Sequence, residues 1–196
     1  MTMRPLLVPM FMLAACAAPT ARTGTFDPGQ VTLTRMATSE RQWTGLAVAG
    51  DARAPRVFVN YPLWSDAQPF AVGELVEGGT VVPYPDAGWN HWETGASPRA
   101  QFVCVQALLA DGRGRLWVLD PASPRFEGVV DGGAKLVVID LESDRVERVY
   151  RFAPPVVKPA SYLNDLRLDL EHGAAYLTDS GDGALVVLDL ESGEAR

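Results

Sequence analysis

The chain has 196 residues, of which 47% are hydrophobic and 21% are charged. This balance is typical of a globular protein with enough apolar side chains for a core, and it excludes extensive disorder beyond the N-terminus. The formal net charge of −7 comes without any run of Lys and Arg, so the chain lacks the phosphate-neutralising surface of a nucleic acid binding protein.

The chain begins with MTMRPLLVPMFMLAAC, in which Arg4 precedes an apolar run and then small residues. This order is typical of a secretory signal peptide, and the run is too short to span a bilayer. Residues 13–16 also resemble the lipobox of bacterial lipoproteins, whose cysteine is acylated and becomes the new N-terminus. We therefore predict a lipoprotein signal peptide over residues 1–15 and lipidation of Cys16, with a buried N-terminal strand as the alternative.

Residues 16–40 are rich in Pro, Thr, Ala and Gly, which indicates a flexible tether between the anchor and a folded domain at 41–196. The protein is then exported and held by its lipid alone, at the cell envelope in the periplasm or on the outer membrane, or outside the cell. With Cys16 assigned to lipid, Cys104 has no partner for a disulfide. It lies in the apolar run FVCVQALLAD and is expected to be a small buried hydrophobe.

The domain contains a sequence repeat. The segments RVFVNYP, RLWVLDP and AAYLTDS start at Arg56, Arg115 and Ala174, and both offsets are 59 residues (115 − 56 and 174 − 115). Each is a short run of strand-forming residues that ends in a polar residue and a turn former. The hairpin patterns KLVVIDLESDRV, ALVVLDLESGEA and the weaker FAVGELVEGGTV follow the three copies, and WTGLAV, CVQALLAD and YLNDLRLD precede them.

Each repeat therefore supplies about four short strands, and no long helical periodicity interrupts them. Tandem four-stranded units indicate an all-β fold, a β-propeller of four-stranded blades. A β-sandwich is the alternative, but it would not require the same pattern to return at a near-constant interval. Residues 41–196 hold about three blades, so we expect an incomplete propeller.

Polar residues stand at the start of the first strand of each repeat. Alignment of the three repeats on their WTGLAV-type segments places Thr44, Gln106 and Asn164 at equivalent positions. Because the first strand of a propeller blade is innermost, these side chains are expected to converge on the mouth of the central channel and to bind a small molecule. Asn164 has a second interpretation as a cap of its strand. Trp89 is expected to stack on the ligand, or else to seal a gap between blades.

The segments quoted above, together with VPYPDAGWNHW and RVFVNYPLWSD, resemble the major royal jelly protein/Yellow family, specifically its bacterial members, from about Arg41 to the last residue. The resemblance implies a six-bladed propeller, related to the gluconolactonase (SMP-30) group, of which this chain would be the N-terminal half. In lactonase relatives a divalent metal is held by Glu, Asn and Asp, which implies a calcium or zinc ligand role for Asn164. Thr44 stands where the Glu is expected, however, and Gln106 is neutral, so the carboxylates that such sites use are missing from this half.

Three functions remain open from the sequence. The first is an exported propeller that binds a small molecule at the channel mouth. The second is a metal-dependent lactonase or a dopachrome-tautomerase-like enzyme, which would need the carboxylates of a C-terminal half that a truncated chain lacks. The third is a membrane-anchored interaction protein. An open propeller exposes a sheet edge and a blade face, so self-association through that open edge is the alternative to truncation.

Overall fold

The computed structural model describes residues 29, 32–65 and 68–196. By its contacts the chain divides into two compact units, Met1–Thr34 and Arg35–Arg196, and every strand belongs to the second. The predicted signal peptide and Cys16 lie outside the described residues, as do residues 17–28, 30 and 31 of the predicted tether.

In the described residues, eleven strands form three antiparallel sheets. The first sheet has the order β1-β2-β3-β4, with strands Leu46–Ala49, Arg56–Asn60, Val72–Leu75 and Val81–Pro83. The second has the order β5-β6-β7-β8, with strands Ala107–Ala110, Arg115–Asp120, Lys135–Asp140 and Arg145–Arg151. The third has the order β11-β10-β9, in which β9 is Leu163–Asp169, β10 is Ala174–Asp179 and β11 is Ala184–Asp189. A bridge between Leu188 and Ala195 adds the start of a fourth strand to the third sheet.

The three sheets confirm the prediction of an all-β, incomplete propeller with blades of four short strands. The described residues contain no α-helix, only short 3₁₀ turns at Glu77–Gly79 and Pro124–Phe126. The repeated segments found in the sequence are the second strands β2, β6 and β10. The first strands lie side by side, β1 against β5 and β5 against β9, so they form the inner wall, as a propeller requires.

The two central strands of the middle sheet, β6 and β7, are buried on both faces, which explains why they are continuous apolar runs rather than alternating ones. Leu116 and Val118 of β6 pack in a core shared with the first sheet. Trp117 and Leu119, pointing the other way along the same strand, pack in a core shared with the third sheet. Sheet-to-sheet packing is therefore the main stabilising contact of the domain.

Carboxylates at the ends of the second strands hold the segments that enter the first strands. Asp120, at the end of β6, accepts hydrogen bonds from the backbone N–H groups of Val103 and Cys104 at 2.8 and 3.0 Å. It also pairs with Lys135 Nζ at 2.7 Å, and both side chains are fully buried. Asp179, at the end of β10, accepts from Tyr162 N–H at 2.7 Å. Asp120 and Asp179, the polar residues that end the second and third repeated segments, therefore have a structural role.

Candidate functional site

The structure links Thr44, Gln106 and Asn164 across three sheets. Thr44 and Gln106 directly precede β1 and β5, and Asn164 is the second residue of β9. Thr44 Oγ1 donates to the backbone oxygen of Gln106 at 3.1 Å, and Gln106 Nε2 donates to Asn164 Oδ1 at 3.0 Å. All three residues are half-buried, as expected for a site that a ligand can reach. Alignment of the repeats, together with the inner position of the first strand of a propeller blade, was sufficient to predict this convergence.

Two further residues extend this row of polar groups. Tyr162 OH donates to Gln106 Oε1 at 2.8 Å, and Trp64 Nε1 donates to Tyr162 OH at 2.6 Å. We call Trp64, Gln106, Tyr162 and Asn164 the mouth network. Sequence reasoning missed Tyr162 as a member. The available signal was its position two residues before Asn164, which places both side chains on one side of the chain.

Asn60 stabilises the buried residues next to the mouth network by hydrogen bonds. Its Nδ2 donates to Thr44 Oγ1 and to the backbone oxygen of Val105, both at 2.7 Å, and the residue is fully buried. A Cβ atom added to Gly45 would overlap with Asn60 Oδ1 and would lie 3.0 Å from the backbone nitrogen of Leu108. Glycine at position 45 is therefore required for the close approach of the first two sheets.

An exposed aromatic ring stands beside the mouth network. The ring of Phe126 lies 5.0 Å from that of Tyr162 and 5.5 Å from that of Trp64, measured between centroids, and Phe126 is 59% exposed. Ala122, Arg125 and Phe126 all have left-handed backbone, with φ of 52°, 54° and 60°. Such conformations in residues other than glycine are costly and cluster at ligand sites. Arg125 N–H donates to Leu63 O at 2.7 Å and helps to hold this loop.

Trp89 packs in another part of the domain. Its ring lies 5.1 Å from Phe102 and is partly buried against the core between the first and second sheets. This position agrees with the alternative role, sealing a gap between blades. Its role as a ligand contact stays a prediction.

The mouth network is electrically neutral. Burial raises the pKa of the Tyr162 phenol above its ordinary value. Burial also raises the pKa of the Cys104 thiol to about 12, an effect to which the charge of Asp120 contributes. Both groups therefore stay protonated near neutral pH. The network offers amide, hydroxyl and indole groups for hydrogen bonding, together with aromatic faces for stacking.

The metal prediction rests on Asn164 alone. Within residues 29, 32–65 and 68–196, no three His, Cys, Asp or Glu side chains are grouped so that they could hold a metal ion. Asn164 Oδ1, the atom that would bind a cation, accepts the hydrogen bond from Gln106. The calcium or zinc ligand role of Asn164 therefore stays a prediction.

No helix in the described part of the chain is both long enough and apolar enough to cross a membrane.

Comparison with known proteins shows a family resemblance over part of the chain. Residues 103–195 match the family model described as "Major royal jelly protein". Among solved structures, the chain is similar to apo AztD from Citrobacter koseri, with 16% identity and a TM-score of 0.27. That alignment covers 79% of this chain and 46% of AztD, so the chain spans less than half the length of that protein. No curated protein matches the chain. The resemblance inferred from the sequence motifs is thus confirmed over residues 103–195, the part of the chain that matches the major royal jelly protein family model.

Proposed function

We propose that the protein binds a small, uncharged molecule at the channel mouth, where the mouth network meets the exposed ring of Phe126. The observation that carries this proposal is the hydrogen bond between Gln106 and Asn164, which joins amide side chains from two sheets. An amide pair can exchange its internal bond for bonds to a ligand without leaving a buried charge. A flat aromatic ring nearby would cover the apolar side of the same ligand.

The neutral character of the network determines the ligand class. A charged ligand in a half-buried site needs an opposite charge, and none of the four network residues supplies one. A ligand with a polar group and a flat apolar part matches the available groups better. Nicotinamide is a suitable probe, since it is uncharged and joins a hydrogen-bonding carboxamide to a flat aromatic ring.

Binding can be measured by isothermal calorimetry and by tryptophan emission, since Trp64 belongs to the network. We expect Asn164→Ala and Gln106→Ala to weaken probe binding about 10-fold each, as expected for loss of one hydrogen bond to a ligand. Gln101→Ala is the matched control, because that amide bonds to the backbone oxygens of Gly88 and His91. Equal binding by the wild type and both network variants would refute the proposal.

We also propose that the protein is exported and anchored by an acylated Cys16. The proposal rests on the sequence at 13–16. Expression in a bacterial host should place the protein in the membrane fraction with the mass of an added diacylglyceryl group. Cys16→Ser should remove that mass and release the protein from the membrane. A wild-type protein without added lipid would contradict the anchor.

A further inference from the structure

The hydrogen bonds of the mouth network have a fixed direction, which is set at Trp64. An indole N–H can donate a hydrogen bond but cannot accept one. Trp64 Nε1 lies 2.6 Å from Tyr162 OH, so the oxygen of Tyr162 is the acceptor in this pair. The single phenolic proton of Tyr162 must therefore point to another group.

The proton of Tyr162 determines the orientation of the Gln106 amide. Gln106 Oε1 lies 2.8 Å from Tyr162 OH and accepts this proton. If the amide were reversed, its nitrogen would face the hydroxyl and the phenolic proton would lose its acceptor. The Cys104 thiol also interacts with this hydroxyl, but a thiol sulfur is only a weak acceptor. The Gln106 amide therefore keeps Oε1 toward Tyr162 and Nε2 toward Asn164.

Asn164 stands at the end of this series and presents a donor. Its Oδ1 accepts from Gln106 Nε2 at 3.0 Å. Its Nδ2 has no hydrogen-bond partner among the described residues, and it is accessible to solvent. Each amide oxygen of the network already accepts one hydrogen bond, whereas both protons of Asn164 Nδ2 are unused. The free end of the mouth network is thus an N–H donor.

We infer that the mouth recognises its ligand through a hydrogen-bond acceptor, a carbonyl oxygen attached to a flat apolar group, and that Trp64 sets this preference. The inference rests on the function proposed above and narrows its ligand class. A carbonyl oxygen can accept from Asn164 Nδ2 while every bond of the network stays intact. A ligand that can only donate must instead share an amide oxygen that already accepts a bond from Gln106 or Tyr162.

Trp64 is a positioning residue, because it acts on Asn164 through two intermediate side chains. Its ring also packs against the exposed ring of Phe126, with 5.5 Å between centroids, so the indole N–H and the ring have separate roles. Trp64→Phe would keep an aromatic ring and remove the donor. Tyr162 can then turn its proton and the Gln106 amide can reverse. Asn164 Oδ1 then becomes able to face the ligand.

Two small, uncharged aromatic molecules separate recognition of an acceptor from recognition of a donor. Acetophenone carries a carbonyl oxygen and no N–H or O–H group, whereas aniline carries an N–H donor group and is neutral at pH 7. In calorimetric titrations of the wild type, we expect a dissociation constant for acetophenone about 10-fold below that for aniline, the effect of one neutral hydrogen bond. Trp64→Phe should reduce this ratio to about 3-fold or less. Because both molecules are measured on each variant, the difference in their hydrophobicity cancels when the ratios are compared.

Asn164→Asp makes the opposite change. Its carboxylate keeps an acceptor for Gln106 and replaces the free donor by a second acceptor. The preference should therefore reverse, so that aniline binds more tightly than acetophenone. Trp92→Phe is the matched control, because it removes an indole N–H that donates to Ala96 O, outside the mouth network, and it should keep the wild-type ratio.

The outcomes distinguish this inference from the function on which it rests. The same ratio in the wild type, Trp64→Phe and Asn164→Asp would overturn the inference and leave the proposed site intact. An equal loss of preference in Trp64→Phe and Trp92→Phe would overturn the role of the Trp64 N–H. Absence of binding of nicotinamide, acetophenone and aniline alike would overturn both proposals. Far-UV circular dichroism should show that each variant keeps its strands, and if Trp64→Phe does not fold, Asn164→Asp tests the preference by itself.

Discussion

At the scale of single residues, the mouth depends on close contacts between side chains and backbone. Asn60 reaches Thr44 and the backbone of Val105, so it fixes the entry to β1 and the entry to β5 together. Gly45 allows this because it has no Cβ. The half-buried amides of Gln106 and Asn164 are then held at hydrogen-bonding distance. Substitutions at Asn60 or Gly45 should therefore alter both the stability of the fold and the geometry of the site.

Gly45→Ala should lower the free energy of unfolding by about 1–3 kcal/mol, the usual cost of adding atoms to a packed interior. The new methyl group would overlap with Asn60 Oδ1 and press on the backbone of Leu108, and neither can move freely. Urea denaturation measures the change. Gly88→Ala is the control, because its added Cβ would meet only the Asp86 carboxylate, at 3.1 Å. Equal stability of both variants would show that the sheets do not approach closely at Gly45.

Acid should destabilise the fold in part through Asp179. Burial alone would raise the pKa of this carboxyl group. Hydrogen bonds from the Ser161 hydroxyl and from the backbone N–H groups of Tyr162, Asp182 and Gly181 outweigh burial and lower the pKa below 3.8. The stabilisation is therefore present above the unfolded-state pKa and is lost as the pH falls through the lower folded-state value.

Thermal unfolding between pH 6 and pH 2 checks this prediction. Asp179→Asn should be less stable than the wild type near neutral pH, and the difference should shrink as the pH falls. A difference that stays constant with pH would contradict the role of the Asp179 charge.

At the scale of elements, the second sheet contains a buried ion pair that the described residues of the first and third sheets lack at the same position. Asp120 at the end of β6 lies opposite Lys135 at the start of β7, and the two form a fully buried ion pair. The corresponding position opposite Asp179 is Ala184, and the position opposite Asn60 is Val72. Among the three described sheets, the central sheet is thus the one with a buried lysine at this position.

Removing one partner of a buried ion pair leaves an uncompensated charge. We expect Lys135→Met to lower the free energy of unfolding by about 3–5 kcal/mol. Lys158→Met is the matched control, since Lys158 pairs with Asp182 at the surface, and its effect should be clearly smaller. Guanidinium denaturation of both variants makes the comparison. Equal effects would mean that the Asp120 charge does not depend on Lys135.

The sequence predicted the strands well because their signals are local and repeated. The 59-residue offset identified the second strands. Alignment of the repeats identified Thr44, Gln106 and Asn164 as neighbours. It could not predict that Trp64 would reach Tyr162, because 98 residues separate them and only the packed fold brings them together. The burial of Lys135 was equally hidden, since a lysine that begins a strand is ordinarily exposed.

At the scale of the whole molecule, three similar sheets packed in a row account for both the core and the site. The inner strands converge, so the polar residues at their entries form one surface without any of the elements being specialised for it.

The central claim is that the amides of Gln106 and Asn164 contact the ligand. Side-chain amide NMR of uniformly ¹⁵N-labelled protein, titrated with nicotinamide, tests it most directly. We expect the NH₂ signals of Gln106 and Asn164 to shift with saturation, while those of Gln101 and Asn90, which bond to backbone away from the mouth, stay in place. Unchanged Gln106 and Asn164 signals at saturating probe, or shifts confined to other amides, would contradict the account.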